Sequence, residues 1–255
     1  MYNTINSFNA ANLSYFKTRK AVDVKFWSAL GGIPCFEGLT ILDVGCGHGS
    51  LCVDMASRGA KKVIGIDTNE ELIKFATQNV KANYPNLHSI IEFRYCDVND
   101  LLNKELFEFI VCKATFEHIL EPKRVLEGMK RRLKVKGKIF IGFGPLWNSP
   151  TGGHGRIHSC IPIPFGHLIF PESYIVKRVN KRRSEKISSI YELGLNKLSF
   201  ADYKELFYNS GLFVSQFCVN QGESLMTKVF SLFRRIPFLS EYCTTNLYCV
   251  LEKVR

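Results

Sequence analysis

The sequence has no apolar run long enough to cross a bilayer; its longest, Phe109–Cys112 and Ile139–Phe143, are strand-sized. Residues 1–20 hold no continuous apolar stretch either, so neither a secretory signal nor a transit peptide is expected. Cysteine occurs nine times but never as C-x-x-C. That disfavours a disulfide framework or a structural zinc site and suits free thiols in a reducing compartment, so a soluble, cytoplasmic protein is expected. Internal repeats and low-complexity tracts are missing. Acidic residues are few: 23 Asp and Glu against 34 Lys and Arg leave a formal charge of +11. Such a field can steer nucleic acid, anionic lipid or an acidic metabolite. Of two basic clusters, Lys130–Lys138 reads as a solvated helix end that answers the helix dipole. The run Lys177–Lys186 is either an exposed helix face or a track for phosphates.

What is present is ordinary globular material, 46% hydrophobic and 22% charged over 255 residues. Alternating and β-branched runs place strands at about 40–44, 62–66, 90–95, 108–112, 138–143, 213–219 and 246–252. Helical periodicity lies between them: Leu51, Cys52, Met55 and Ala56 share one face, and Leu72, Ile73, Ala76 and Val80 a second. Val125, Leu126, Met129 and Leu133 form a third, and Phe200, Tyr203, Leu206 and Phe207 a fourth. Strands alternating with helices point to an α/β fold, a doubly wound, mostly parallel sheet of seven strands. Residues 1–36 read as an N-terminal helical segment with Phe26, Trp27 and Leu30 as buried candidates, and 37–255 as the main domain. Residues 145–199 are too long for a normal connection and read as a mobile lid over the site.

The first strand runs into Asp43-Val44-Gly45-Cys46-Gly47-His48-Gly49, a G-x-G-x-G turn leading to a helix. Glycines there let the backbone turn tightly and approach a flat nucleoside. The second strand ends at Asp67, where a carboxylate can accept from both ribose hydroxyls. A dinucleotide site wants G-x-G-x-x-G, with the pyrophosphate on the helix N-terminus. Here the third glycine comes one residue early, and Asp43 would repel a pyrophosphate while suiting a cationic amino end. A glycine turn alone is also compatible with no ligand; strand, glycines, Asp67 and helix in register argue against that.

With these motifs the sequence resembles class I S-adenosylmethionine-dependent methyltransferases, from about Leu39 to Phe143 and more loosely beyond. The resemblance rests on ILDVGCGHG, VIGID, the Cys96-Asp97-Val98 turn, residues 107–122 and residues 133–141. It implies a Rossmann-like sheet whose last strand is antiparallel, with S-adenosylmethionine as cofactor. It also implies that Asp43, Gly45, Cys46, Gly47 and Gly49 hold the methionine end. Asp67 would take the ribose beside Thr68, Asp97 and Val98 the adenine, and Lys113 would lie along the cofactor through its backbone. The fourth strand only approximates the usual F-D-x-V, and Val135-Lys136-Gly137-Lys138 replaces the usual proline-glycine-glycine turn.

Glu117-His118 matches an E-H pair of small-molecule members, and His118 is a candidate substrate contact. Where one branch completes a metal site this chain has Ala114, so no metal is expected. The segment after the fifth strand carries Trp147, a second candidate acceptor contact, and the histidines His154, His158 and His167. The H-x-x-x-H spacing needs a helix to aim two rings together, and Gly153, Gly155, Pro162 and Pro164 make one poor there. His154 is the expected proton acceptor, His158 its alternate, and His167 is expected to pack. A small or medium-sized acceptor, acidic if the positive charge steers it, methylated at oxygen is the favoured activity. An RNA methyltransferase using residues 177–186 and a cofactor-binding protein without turnover are the alternatives.

Overall fold

A computed structural model describes residues 2–102, 104–222 and 225–254. Its strands are β1 (Thr40–Val44), β2 (Lys62–Asp67), β3 (Ile91–Tyr95), β4 (Phe107–Lys113), β5 (Leu133–Phe143), β6 (Phe213–Val219) and β7 (Leu247–Glu252). They form one sheet in the order β3-β2-β1-β4-β5-β7-β6. The first five pair in parallel, and β7 runs antiparallel to both β5 and β6. The helices are α1 (Tyr2–Ala29), α2 (Ser50–Ser57), α3 (Glu70–Asn83), α4 (Pro122–Arg132), α5 (His154–His158), α6 (Gly166–Ile169), α7 (Glu172–Asn180), α8 (Phe200–Tyr208) and α9 (Leu225–Phe233). Among the described residues no helix is long and apolar enough to cross a membrane.

Successive side chains of a strand point to opposite faces. The inner strands are apolar at nearly every position, so the sheet needs cover on both sides. Leu42, Ile110, Ile139 and Ile141 join one core with Val125, Leu126 and Met129 of α4 and Tyr203 and Phe207 of α8. Their neighbours Ile41, Val111 and Phe140 join a second core with Phe16, Phe26 and Trp27 of α1, Leu51 and Met55 of α2, and Ile73 and Phe75 of α3. Phe26, Trp27 and Leu30 are all buried, as the sequence indicates. The chain crosses from one face to the other between β1 and β4. The carboxyl ends of those strands therefore splay their following loops apart and leave a crevice.

Three local expectations are corrected. β5 begins at Leu133, not 138, because pairing with β4 continues through a register shift between Phe107 and Phe109. The Lys130–Lys138 cluster is not simply solvated: Arg132 is buried and donates to the Leu101 carbonyl, and Lys130 Nζ donates to the Ser210 carbonyl at 2.6 Å. Residues 154–158 are helical despite their glycines. Ile157 anchors that turn in a third core with Cys160, Ile161, Ile175, Val179 and Leu193, so burial overrides the weak local propensity.

Candidate active site

At the end of β1 the amides of Gly45 and Cys46 both donate to the Ile66 carbonyl, at 2.8 and 3.0 Å. Gly45, Gly47 and Gly49 all take positive φ, a region that L side chains rarely adopt. Packing adds to the constraint: a Cβ on Gly45 would fall 2.4 Å from the Thr115 side chain, and one on Gly49 would fall 2.6 Å from the Phe93 ring. The turn closes back onto β2 through Asp67, whose Oδ2 accepts the Gly47 amide at 2.9 Å and Oδ1 the Asn69 amide at 2.8 Å. Asn69 caps α3 by accepting from the Leu72 amide. One carboxylate thus fixes the glycine turn and the start of the next helix while facing the crevice.

The crevice holds a cavity of about 530 Å³. Asp43, Gly45, Cys46, Gly47, Asp67, Thr68, Asp97, Val98, Lys113 and His118 line it, and Gly49 does not. Asp43 is the informative floor residue. It is buried, its Oδ2 accepts only a thiol hydrogen bond from Cys52 at 3.2 Å, and burial pushes its pKa up to about 7. A buried carboxyl with so little compensation would be stabilised by a cationic partner. Burial also raises the thiols of Cys46 and Cys52, so neither competes as an anion. Asp97 caps a short turn through Asn99 and places Val98 against the cavity wall. Lys113, which also lines the cavity, forms a buried ion pair with Asp23 of α1, so its ammonium is engaged. These groups fit S-adenosylmethionine: an anionic floor for its amino end, a carboxylate at ribose position and an apolar wall for a purine.

The remaining lining was not foreseen. Tyr15 and Arg19 of α1 form a roof, with the Arg19 guanidinium 4.7 Å above the Tyr15 ring and Tyr15 packed on His48 at 4.6 Å. Leu72, Leu120, Glu121 and Arg124 complete the rim. The motif string contains His48, yet nothing in its spacing marks it as a stacking partner of a residue over thirty positions upstream.

The 145–199 residues take different places from those expected. None of them lines the cavity. The segment is a helical unit with its own core rather than a bare loop. It is pinned to the chain after β4: Asn196 Nδ2 donates to the carbonyls of Phe116 and Ile119, at 2.7 and 2.9 Å. Trp147 packs on the third core beside His167, under Lys197. His154 Nε2 meets the Pro145 carbonyl at 3.0 Å, and burial pulls its pKa down to about 4, too low for an effective base. His158 borders a small crevice with His167 and Ile161, away from the cavity. His167 packs as expected, its Nε2 against the Trp147 carbonyl. Among the described residues no group of three or more His, Cys, Asp or Glu is placed to hold a metal.

His118 does reach the cavity, with His154 behind it at 5.1 Å between rings. Its Nδ1 donates to the Gly194 carbonyl at 2.7 Å, which leaves the lone pair on Nε2. Desolvation by the surrounding chain lowers its pKa, so the ring is neutral near pH 7.

Residues 36–143 match the family described as methyltransferase domain. That match covers less than half of the chain. The ubiquinone biosynthesis O-methyltransferase of Neisseria meningitidis serogroup A is 31% identical over 168 residues, covering 65% of this chain and 63% of the relative. The human mitochondrial protein of that name is 38% identical over 106 residues, covering 41% of this chain and 28% of its own. The chain thus spans less than two thirds of the length of these relatives. The geranyl diphosphate C-methyltransferase of Streptomyces coelicolor A3(2) superposes with a TM-score of 0.60 at 13% identity, covering 97% of this chain and 84% of that one. The [4+2]-cyclase SpnF superposes at 0.59 with 13% identity, covering 92% and 82%. At such identities these structures show a shared fold alone.

Proposed function

We propose that this protein transfers a methyl group from S-adenosylmethionine to oxygen of a small or medium-sized acceptor. The observation that carries the reading is the single cavity in which Asp43, the glycine turn, Asp67, Asp97 and His118 converge. Asp43 receives the amino group of the methionine end, Asp67 the ribose hydroxyls, and the Asp97–Val98 turn the adenine. Arg19, on the roof, is the cation for the carboxylate. Bound there, the cofactor supplies a sulfonium methyl for in-line displacement, so positioning accounts for much of the rate. The chain's own contribution to proton removal is His118, whose Nε2 lone pair is held in the correct tautomer by Gly194. This assignment replaces His154 and His158. The O-methyltransferase names of the matched relatives support oxygen as the acceptor atom.

Part of the basic run is already used inside the insertion: Arg178 and Arg182 donate to the carbonyls of Cys160 and Ser159, and Lys186 to those of Asn180 and Arg183. That favours a small acceptor over RNA. Nine free thiols support a reducing, cytoplasmic location. The test is release of S-adenosylhomocysteine with a panel of hydroxylated small molecules. Turnover with one of them is the expected result. Tight cofactor binding without turnover on any acceptor would favour the non-catalytic alternative, and salt-sensitive retention of RNA the nucleic-acid one.

A further inference from the structure

Between β6 and β7 the chain leaves the sheet for α9 and a tight turn at Pro237–Leu239. Its large apolar side chains face outward: Phe238 is 73% exposed and Leu232 61%, with Phe233 and Tyr242 exposed beside them. Tyr242 meets the Phe165 ring at 6.3 Å, which brings the start of α6 alongside. There Ile163 and Ile169 are exposed too, the latter at 64%. Two stretches far apart in sequence therefore present neighbouring apolar surface, and clustering of this kind marks a contact site rather than scattered exposure.

The exposed charged side chains between 228 and 242 have one sign. Lys228 and Arg235 are exposed, and the Arg234 guanidinium sits over the Phe200 ring at 5.7 Å. The one acid between 228 and 242, Glu241, is turned inward, where its carboxylate accepts from the Asn148 side chain and the Phe200 and Ala201 amides. Protruding aromatic and aliphatic groups beside exposed cations that form no ion pair among the described residues fit a bilayer surface, with apolar groups among acyl chains and cations among anionic headgroups. The chain's overall charge of +11 draws it toward the same surface.

We propose that residues 228–242, with Ile163 and Ile169, seat this protein peripherally on an anionic phospholipid surface. The proposal does not rest on the cavity's role in methyl transfer. The full chain is sedimented with vesicles of phosphatidylcholine alone and of phosphatidylcholine with about a third phosphatidylglycerol. Binding to the anionic vesicles, weakened by high salt and much lower on the neutral ones, is expected. Leu232→Ser with Phe238→Ser, and separately Lys228→Glu with Arg235→Glu, should each lower partitioning by at least about tenfold. All four side chains are exposed, so unchanged thermal unfolding verifies that the variants fold. Absence of the wild-type chain from anionic vesicles, or equal binding by both double variants, overturns the proposal. Self-association of the wild type that the Leu232/Phe238 pair abolishes overturns it too, by making a second copy the occupant.

Discussion

Asp67 does two jobs with one carboxylate, so its replacements separate. Asp67→Ala removes the ribose acceptor and the cap on the Gly47 and Asn69 amides, whereas Asp67→Asn keeps an oxygen for one of them. Calorimetry should show cofactor affinity falling by roughly 2–4 kcal/mol in the Ala variant, with a smaller stability loss in the Asn variant. Unchanged affinity in the Ala variant would remove the cofactor assignment. At the other end of the cavity, His118→Ala should lower turnover about a hundredfold with cofactor affinity intact, while His154→Ala should leave turnover within a few fold. Because desolvation lowers the His118 pKa, the rate should fall only as pH drops below about 6.5. A flat profile, or a large loss from His154→Ala alone, would restore the other histidine. The convergence of Asp43, the glycine turn and Asp67 on one cavity was legible in the sequence because one βαβ unit fixes them by local spacing. The placement of His154 and His158 was not, since the aim of a side chain in a 55-residue excursion depends on where that excursion folds.

Strand and helix positions were legible wherever periodicity and burial agree, as in β1, β2, α3 and α4. The role of one helix and the existence of another were not legible, for a different reason. α1 offers no motif, and its role as a roof exists only through tertiary partners: Asp23 against Lys113 and Tyr15 against His48. α5 is held by Ile157 against residues that arrive later in the chain, so local composition misleads. The two elements make opposite expectations for limited proteolysis. S-adenosylhomocysteine should protect the stretch around Tyr15 and Arg19, and leave cleavage within 145–199 unchanged. Protection of 145–199 instead would return it to the role of lid. Asn196 couples that unit to the site, since its amide group bonds Phe116, Ile119, Leu198 and Tyr203. Asn196→Ala should destabilise the protein by about 3 kcal/mol in denaturant titration, and should also depress turnover by loosening Gly194 behind His118. Loss of stability with normal turnover would separate the two.

At the scale of the whole molecule, Asp43 and Glu117 stand out as buried carboxyls with little compensation. Asp43 is raised to about 7 and Glu117 to about 8, both by burial, and Glu117 Oε2 has no hydrogen-bond partner. Folded, each keeps a proton at pH values where the unfolded chain has lost it. Stability of the ligand-free protein should therefore fall as pH rises from about 6.5 to about 8, by on the order of 2 kcal/mol. The buried histidines, with lowered pKa values, act in the opposite direction only below that window. Thermal unfolding at both pH values tests the slope, and S-adenosylhomocysteine should flatten it by giving Asp43 a cation. A melting temperature that rises across the window would contradict the burial of these groups.

The two tryptophans have fallen one to each of two separate cores. Trp27 is fully enclosed between α1 and the sheet, and Trp147 is half-buried on the insertion's own core. Intrinsic fluorescence therefore carries two colours: a blue emitter in the main domain and a redder one, beside His167 and Lys197, in the insertion. In Trp147→Phe the spectrum reports only the sheet, so comparing its denaturation midpoint with that of the intact chain asks whether the insertion melts with the sheet or before it.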